Sequence, residues 1–348
     1  MSPPPALLPL VSIVIACRNE EGYVGACLDS VFANDYPQDR LEVLVAEGGS
    51  NDGTREILSG YAATHPAIVL LDNPTGSTPA ALNLAIRQAS GSIIIRMDAH
   101  VLYPKDYVLR LVEALQESGA DNVGGVLQTV PADDTPAARA IAIGLSHPFG
   151  VGNSRFRTGV RERREVDTVP FGCYRREIFD RIGWFDEELI RNQDDEFNFR
   201  LIRRGGRVLL LPDVLCRYFA RRSLRQVARM YYQYGYFKPL VARKVGRVMT
   251  VRQLIPALLI VSLLGSAALS PWLLPAGLLF LLIAGTYAAV VLGCSVRAAR
   301  TAGIRCGIAL AGVFPTLHFS YGVGFLRGIY HHFLARTASR SGEMRLSR

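Results

Sequence analysis

The sequence predicts an α/β fold with a mostly parallel sheet and flanking helices, followed by C-terminal transmembrane helices. Two observations carry this prediction. Over about the first 200 residues, short segments rich in Val, Ile and Leu alternate with segments of helical period, which is typical of an open, largely parallel sheet. Between Arg252 and Arg297 the chain then runs 44 residues without a charged side chain, a helical length of about 66 Å, roughly twice the hydrocarbon thickness of a bilayer.

The first part of the sheet is predicted from four apolar segments. The first of them, residues 10–16 (LVSIVIA), is continuously apolar, as a strand covered on both faces should be. The other elements follow in alternation: strands at 41–46, 67–71 and 92–96, and helices at 24–32 and 79–89. Because parallel sheets bind ligands at the carboxyl ends of their strands, the residues that follow each strand are candidates for function.

The middle of the chain has a weaker pattern. Residues 131–168 contain several arginines and no clear period, so we expect an irregular loop that covers the functional site. A short strand is predicted at 169–175, and helices are predicted at 177–182 and 193–203.

Charged residues are segregated along the chain. Residues 1–202 hold 18 basic and 28 acidic side chains, 203–252 hold 13 basic and one acidic, 253–296 hold none, and 297–348 hold eight basic and one acidic. This order argues against a uniformly basic surface for nucleic acid and favours an enzyme attached to a membrane. None of the six cysteines forms a C-x-x-C pair, so reduced thiols are expected rather than a zinc ribbon or a redox pair.

The uncharged block divides into two predicted membrane spans. Ser270-Pro271 interrupts it near the middle, which gives spans at about 253–270 and 272–294, with a soluble hydrophobic hairpin as the alternative. A third uncharged stretch, 306–326, is left open between spanning, re-entering and lying at the interface.

Basic residues set the predicted orientation of these spans. They flank the block at 243–252 and 297–305, so the positive-inside rule places residues 1–252 on the cytoplasmic side of the inner (plasma) membrane. The predicted domain order is a globular domain at 1–220, a basic amphipathic interfacial segment at 221–252, a hydrophobic membrane region at 253–330 and a basic tail at 331–348.

Three acidic residues, Glu20, Glu47 and Asp98, directly follow predicted strands and are therefore expected to share one crevice. Asp98 suits Mg²⁺ or Mn²⁺, which prefer oxygen ligands and bridge diphosphate oxygens. His100 lies two residues further along the chain, and three roles are open for it: a second metal ligand, a contact to phosphate, or a structural residue. Taken alone, Asp98 would equally suit a turn or a helix cap. Taken together, the three acids suit a nucleotide diphosphate sugar, with Glu20 and Glu47 accepting hydrogen bonds from the base and ribose.

A second acidic cluster begins the predicted helix at 193–203. Asp194, Asp195 and Glu196 there complement the helix dipole, so a purely structural charge cluster is one interpretation. The other interpretation is that one of these carboxylates takes a proton from an attacking hydroxyl. Neighbouring negative charges and partial burial would raise its pKa toward a useful range.

A third motif lies in the basic segment, where Gln226 and Arg229 are followed by several aromatic residues. Arg229 suits a departing diphosphate. The alternative is an amphipathic helix at the membrane surface with arginines that reach to the headgroups. The two interpretations are compatible, because a lipid-linked acceptor is met at that surface.

In their joint order these motifs resemble those of an inverting family 2 glycosyltransferase. The resemblance covers residues 10–240 and is carried by VSIVIACRNEE, EGGSNDGT, MDAH and NQDDE. It implies a GT-A (Rossmann-like) fold, a UDP-sugar donor, a divalent cation and single-displacement inversion. Within the family the chain is most similar to membrane-bound succinoglycan-type glucosyltransferases, whose acceptor is a polyprenyl-diphosphate-linked saccharide.

The resemblance also implies roles for individual residues. Asp98 would be the metal-binding acid, His100 would stand at the last position of the family's D-x-D, and Asp194 would be the catalytic base, with Asp195 as the alternative. Residues implied to bind the nucleotide sugar are Ala16, Glu20, Glu47, Asp52, Asn83, Asp98, Gln226 and Arg229. Met230 stands where membrane synthases carry tryptophan, which argues against a processive polymer synthase.

The function expected from the sequence is transfer of a hexose, with glucose as the expected sugar, to a hydroxyl of a lipid-linked saccharide in exopolysaccharide or cell-surface glycan synthesis. One alternative is a transferase that uses another donor or a lipid-phosphate acceptor. The other is a non-catalytic membrane protein that binds nucleotide sugar within a polysaccharide complex.

Overall fold

A nine-stranded mixed sheet organises the first half of the chain in the computed structural model, which describes residues 8–248 and 250–335. Its strands are β1 (Val11–Cys17), β2 (Leu41–Glu47), β3 (Ile68–Asp72), β4 (Ile93–Asp98), β5 (Val101–Leu102), β6 (Asn122–Val130), β7 (Arg164–Glu165), β8 (Cys173–Arg175) and β9 (Val208–Phe219). Strands β3, β2, β1 and β4 are parallel neighbours, and β8 joins β4 and β6 antiparallel. The predicted fold class is confirmed, with the finding that the sheet is mixed.

Thirteen α-helices are present in the described residues. They are α1 (Val24–Phe32), α2 (Thr54–Thr64), α3 (Thr78–Gln88), α4 (Tyr107–Ser118), α5 (Pro136–Ser146), α6 (Pro148–Val151), α7 (Arg155–Thr158), α8 (Glu177–Ile182), α9 (Gln193–Arg203), α10 (Leu224–Val245), α11 (Ile255–Leu269), α12 (Leu274–Ala302) and α13 (Ile304–Ile329). The predicted strands and helices of the first hundred residues, and α8 and α9, are confirmed with ends shifted by a few residues at most.

The elements fall into two units. The first unit holds the residues up to Gln128 together with Gly159–Tyr218, and the second holds Thr129–Thr158 and the chain from Phe219 onward. The first unit thus ends close to the predicted boundary at residue 220, but residues 129–158 group with the apolar helices. Of the predicted basic tail at 331–348, residues 336–348 lie outside the described part of the chain.

The prediction of an irregular loop at 131–168 is wrong for its first part, which forms α5. The helix begins in the standard way, since Thr135 Oγ1 accepts a hydrogen bond from the Ala138 amide (3.2 Å) and Pro136 occupies the first turn. Ile141 and Leu145 on its inner face are fully buried in the second unit. The helical period was overlooked because the surrounding arginines dominate the composition.

One apolar cluster joins four helices of the second unit. It includes Ile141 of α5, Met230 of α10, Val291 of α12, and Leu310 and Phe314 of α13. Helix α13 is therefore covered on one side by residues that are distant in the sequence.

Two helices are long and apolar enough to cross a membrane. The most apolar 18-residue window of α12 has a mean hydropathy of 2.2, and only 6% of that window is buried. The corresponding window of Ile304–Leu334 has a mean hydropathy of 1.3, and 39% of it is buried. The predicted first span is corrected: α11 has 15 residues, about 22 Å of helix, which falls short of the hydrocarbon thickness. The third stretch, left open by the sequence, is a continuous helix of sufficient length.

Glycines bring the backbones of α10 and α13 into contact. A Cβ atom added at Gly324 would overlap the carbonyl oxygen of Tyr232, and one added at Gly235 would overlap that of Tyr321. We therefore expect Gly324→Leu to lower the free energy of unfolding by about 1–3 kcal/mol through overpacking. Thermal unfolding in detergent measures this, with Gly285→Leu on α12 as the control, because no atom lies within 4 Å of a Cβ there. Equal melting of both variants would contradict the packing argument.

Candidate active site

The sheet register brings three strand ends together in the first unit. In β1, Ala16 pairs with Ala46 of β2 on one side and with Asp98 of β4 on the other, and Cys17 pairs with Glu47. Glu20 lies three residues beyond the end of β1. The carboxylates that were expected to share a crevice therefore follow adjacent parallel strands at one edge of the sheet.

Hydrogen bonds interlock the loop after β1 with the loop after β2. The amide of Asn19 donates to Ser50 Oγ (2.9 Å), its Oδ1 accepts from the Asn51 amide (3.0 Å), and the amide of Glu20 donates to Thr54 Oγ1 (2.7 Å). The short polar side chains of these motifs are thus used to hold two loops as one framework. This framework fixes the backbone of Glu20.

Asp52 completes the same framework. Its Oδ1 accepts from the amide and the hydroxyl of Thr54 (3.1 and 2.5 Å), and its Oδ2 accepts from the Glu21 amide (3.3 Å). Burial acts to raise the pKa of Asp52, but the hydrogen bonds from Thr54 and Glu21 lower it overall. Asp52 is therefore an ionised residue that joins the two loops.

Glu47 is buried and its carboxylate is held by its own loop. Oε1 accepts from the Ser50 amide (2.6 Å), and Oε2 accepts from Arg55 Nη1 (3.0 Å). Burial acts to raise the pKa of Glu47, while hydrogen bonds from Ser50 and Gly49 and the charge of Arg55 lower it overall. These contacts fix the carboxylate, and its contact with uridine remains a prediction.

His100 lies between two of the predicted carboxylates. Its Nδ1 is buried 3.1 Å from Glu20 Oε1, in an alignment that does not make a hydrogen bond, and its Nε2 lies 3.9 Å from Asp98 Oδ2. The ring also packs against Tyr218, with centroids 5.4 Å apart. Glu20, His100 and Asp98 thus form one polar row across the strand ends.

Arg96 contacts two of the predicted functional acids and is a residue that sequence reasoning missed. Its side chain is 6% exposed, and Nη2 lies 2.7 Å from Asp98 Oδ1 and 3.7 Å from Asp194 Oδ2. The guanidinium also lies 5.0 Å over the ring of Phe171. Burial acts to lower the pKa of Arg96, but the charges of Asp194 and Asp98 raise it overall. The signal in the sequence was a single cation inside the apolar strand IIIRM, since a buried charge requires partners.

Asp194 lies in the first turn of α9, with 24% of its side chain exposed. Burial raises its pKa to about 6; Arg96 opposes this shift, and the charges of Asp98 and Asp195 add to it. The direction agrees with the expectation from the sequence. Because Asp98 and Asp194 approach the same Arg96 nitrogen, the two predicted functional acids lie in one site.

The other acids of this cluster differ in their contacts. Glu196 forms a two-point ion pair with Arg200, with both distances 2.8 Å, and Arg200 donates to the carbonyl of Trp184 (2.7 Å). Glu196 therefore anchors α9 to the preceding loop. Asp195 is half-buried beside Asp194, and its role as an alternative base remains a prediction.

Backbone strain is concentrated at this site. In the described residues, the non-glycine residues with positive φ are Asn19 (55°), Phe171 (51°) and Asn192 (62°). Asn19 belongs to the interlocked loops, Phe171 packs on Arg96, and Asn192 begins the helix that carries Asp194. Such conformations cost energy and are typical of functional sites.

Three predicted residues remain to be placed. The amide of Asn83 is occupied, because Nδ2 donates to the Phe185 carbonyl (2.9 Å) and to Glu187 (2.8 Å), and Oδ1 accepts from the Phe185 amide (3.0 Å). Asn83 thus holds that loop, and these contacts give no support to its predicted role in donor binding. Gln226 and Arg229 belong to α10 of the second unit, so their roles also remain predictions.

The residues present fit a divalent cation. In the described part of the chain, no group of three or more His, Cys, Asp and Glu side chains is arranged to hold a metal ion. Mg²⁺ is commonly bound by one or two carboxylates together with substrate phosphates, so a three-residue cage is not required. Asp98 is 21% exposed and offers Oδ2, and Nε2 of His100 lies 3.9 Å from that oxygen, so the two side chains can hold one cation between them.

Comparison with known proteins gives the family. The family described as glycosyl transferase family 2 matches residues 12–183. Succinoglycan biosynthesis protein ExoA of Rhizobium meliloti (strain 1021) is 31% identical over 318 residues, which cover 90% of this chain and 93% of that protein. The chain belongs to glycosyl transferase family 2. It is a transferase enzyme, which removes the alternative of a non-catalytic binding protein.

Two further proteins are similar to this glycosyltransferase, one in sequence and one in fold. A Methanococcus voltae enzyme named dolichyl N-acetyl-alpha-D-glucosaminyl phosphate 3-beta-D-2,3-diacetamido-2,3-dideoxy-beta-D-glucuronosyltransferase is 28% identical, over 67% of this chain and 74% of that protein. The mannosyltransferase PcManGT of Pyrobaculum calidifontis, solved with GDP-Man and Mn²⁺, superposes with a TM-score of 0.59 at 22% identity, over 91% and 89% of the two chains. The glycosyltransferase thus has the GT-A fold and is related to exopolysaccharide and lipid-linked glycan transferases.

Proposed function

We propose that the enzyme transfers a hexose from a UDP-sugar to a hydroxyl of a polyprenyl-diphosphate-linked saccharide, with inversion at the anomeric carbon and glucose as the sugar. The observation that carries the proposal is the position of Arg96 between Asp98 and Asp194. This position supports the proposal because Asp98, which suits a diphosphate-bound cation, and Asp194, which suits a base, contact the same guanidinium.

Asp194 is proposed as the general base. Its pKa of about 6 leaves it ionised at neutral pH, yet basic enough to take the proton of an acceptor hydroxyl as that oxygen attacks. The sugar–phosphate bond breaks on the opposite face, and UDP leaves. A divalent cation bound by Asp98 and His100 would supply positive charge to the leaving diphosphate.

The remaining residues are proposed to position the donor. Glu20 and Glu47, on the interlocked loops, would accept hydrogen bonds from uridine, and Asp52 would hold those loops in place. Arg229 on α10, with Gln226, would receive the diphosphate as it departs. Arg96 would keep Asp98 and Asp194 oriented and stop them from repelling each other.

Membrane attachment is proposed from α12 and α13. The exposed apolar surface of α12, of whose most apolar window only 6% is buried, favours a nonpolar environment, and a lipid-linked acceptor would be met there. The basic segments at 243–252 and 297–305 favour the cytoplasmic side of the inner membrane for the catalytic residues.

A donor panel tests this function. Purified enzyme in detergent is given lipid-linked acceptor and UDP-glucose, UDP-galactose, UDP-N-acetylglucosamine or GDP-mannose, and the product linkage is determined. We expect transfer from UDP-glucose that stops with EDTA and returns with Mn²⁺ or Mg²⁺. Transfer that is unchanged in EDTA would contradict the cation, and transfer from GDP-mannose alone would contradict the donor.

The pH dependence follows from Asp194. Only its ionised form accepts a proton, so kcat/KM should rise with pH through an apparent pKa of about 6 and fall about tenfold per unit below it. Asp195→Asn should move this limb to lower pH, because the charge of Asp195 raises the pKa of Asp194. Initial rates at low donor concentration measure both profiles. An unchanged rate down to pH 4.5 would contradict the assignment of the base.

A further inference from the structure

Among the described residues, one arginine of the second unit is buried without an anionic partner. Arg221 follows the end of β9 and is 5% exposed. Within the part of the chain that the structure describes, its Nε and Nη1 atoms are buried without a hydrogen-bond partner, and no carboxylate forms an ion pair with it. A buried guanidinium without partners costs several kcal/mol in general, and an anionic ligand that supplied partners would offset that cost.

The chemistry of this side chain suits a phosphate group. The guanidinium of Arg221 carries several N–H donors in one plane, and phosphate oxygens accept hydrogen bonds from such donors.

The local field also favours an anion. The 22-residue helix α10 begins three residues after Arg221, and Ser223 Oγ caps it by accepting from the Gln226 amide (3.3 Å). The N-terminus of such a helix carries partial positive charge. Arg225 in its first turn is exposed and adds to that charge.

An apolar surface adjoins the same position. Ala220, directly before Arg221, belongs to the cluster that joins Met230 of α10 to Leu310 and Phe314 of α13. In a ligand with a diphosphate head and a hydrocarbon chain, the diphosphate would pair with the buried Arg221 and the chain would pack against the apolar helices. A nucleotide diphosphate matches the cation but not the apolar surface.

We propose that Arg221 binds the diphosphate group of the lipid-linked acceptor. The assignment rests on the proposed function for the nature of the acceptor. It adds an acceptor-binding residue on the second unit.

Binding and kinetics of Arg221→Met test the proposal. Met keeps the length of the side chain and removes the charge. We expect the KM for the lipid-linked acceptor to rise about 10- to 100-fold, because the variant loses charge-assisted hydrogen bonds to the diphosphate. The KM for the UDP-sugar should not change. Farnesyl diphosphate, as a detergent-soluble probe, should bind the variant correspondingly more weakly, while UDP binds both proteins equally.

The matched control is Arg222→Met. Hydrogen bonds from Thr135, and then the charge of Arg222, lower the pKa of Asp133, so the exposed Arg222 already has an acidic neighbour. This variant should bind both probes as the wild type does.

Stability separates a ligand-binding arginine from a structural one. Without ligand, Arg221→Met should melt at the same temperature as the wild type or higher, because it removes an unpaired buried charge. A lower melting temperature, or normal farnesyl diphosphate binding by the variant, would overturn the proposal. Loss of UDP binding alone would also overturn it. If the wild type transfers no sugar yet binds farnesyl diphosphate through Arg221, the proposed function fails and this site stands.

Discussion

Replacing Asp194 with asparagine should lower kcat by about 10²- to 10⁴-fold, the usual contribution of a general base. Asparagine keeps the shape of the side chain but cannot accept the proton of the acceptor hydroxyl. The affinity for UDP should stay the same, because Asp194 is not among the proposed donor contacts. Single-turnover transfer of radiolabelled hexose, together with calorimetric titration of UDP, measures both quantities.

The matched control is Asp195→Asn, one residue along the same helix turn. If Asp194 is the base, this variant should retain most of the activity. A large loss in Asp195→Asn with normal turnover in Asp194→Asn would assign the base to Asp195. Glu196 is unsuitable as a control because its ion pair with Arg200 holds α9 to the preceding loop.

Replacing Arg96 with methionine should be the most destabilising change in the first unit. The variant leaves Asp98 and Asp194 beside each other without their shared cation, and breaking a buried ion pair from one side costs about 3–5 kcal/mol. The loss should shrink as the pH falls from 7 to 5, because burial already raises the pKa of Asp194 to about 6 and its protonation removes the repulsion. Thermal unfolding at several pH values measures this.

Two further variants identify the cause of that loss. Asp194→Asn combined with Arg96→Met should recover part of the stability, because one of the repelling charges is gone. Arg96→Lys should retain the fold but reduce activity, since an ammonium group cannot reproduce the planar contacts to two carboxylates. If Arg96→Met is as stable as the wild type at pH 7, the ion pairs do not hold the site.

The strands, the helices and the acids that follow the strands could be predicted from the sequence, because each depends on residues close together in the chain. The strands around Ile13 and Ile95 are continuously apolar because both faces of the sheet are covered, and acids that follow such strands necessarily meet at one edge. Glu20, Glu47 and Asp98 were found in this way, whereas Asp194 was found from the acidic cluster that begins α9. The resemblance then supplied their roles, which the spacing alone left open.

The sequence could not predict contacts between distant segments. Arg96 is 98 residues before Asp194, so its role appeared only when α9 was placed against β4. Helix α5 owes its buried face to α13, more than 150 residues further along. The length of α11 was overestimated because hydropathy does not show where a helix begins and ends.

The apolar cluster shared by α5, α10, α12 and α13 determines how this enzyme can be handled. Cutting the chain after residue 252 would remove the hydrophobic C-terminal region but would also expose Ile141 of α5 and Met230 of α10 to water. A shortened protein of that kind should aggregate rather than dissolve. Biochemical work on this transferase therefore calls for the intact chain in detergent or nanodiscs, and the last helices count as part of its folding core as well as its proposed membrane anchor.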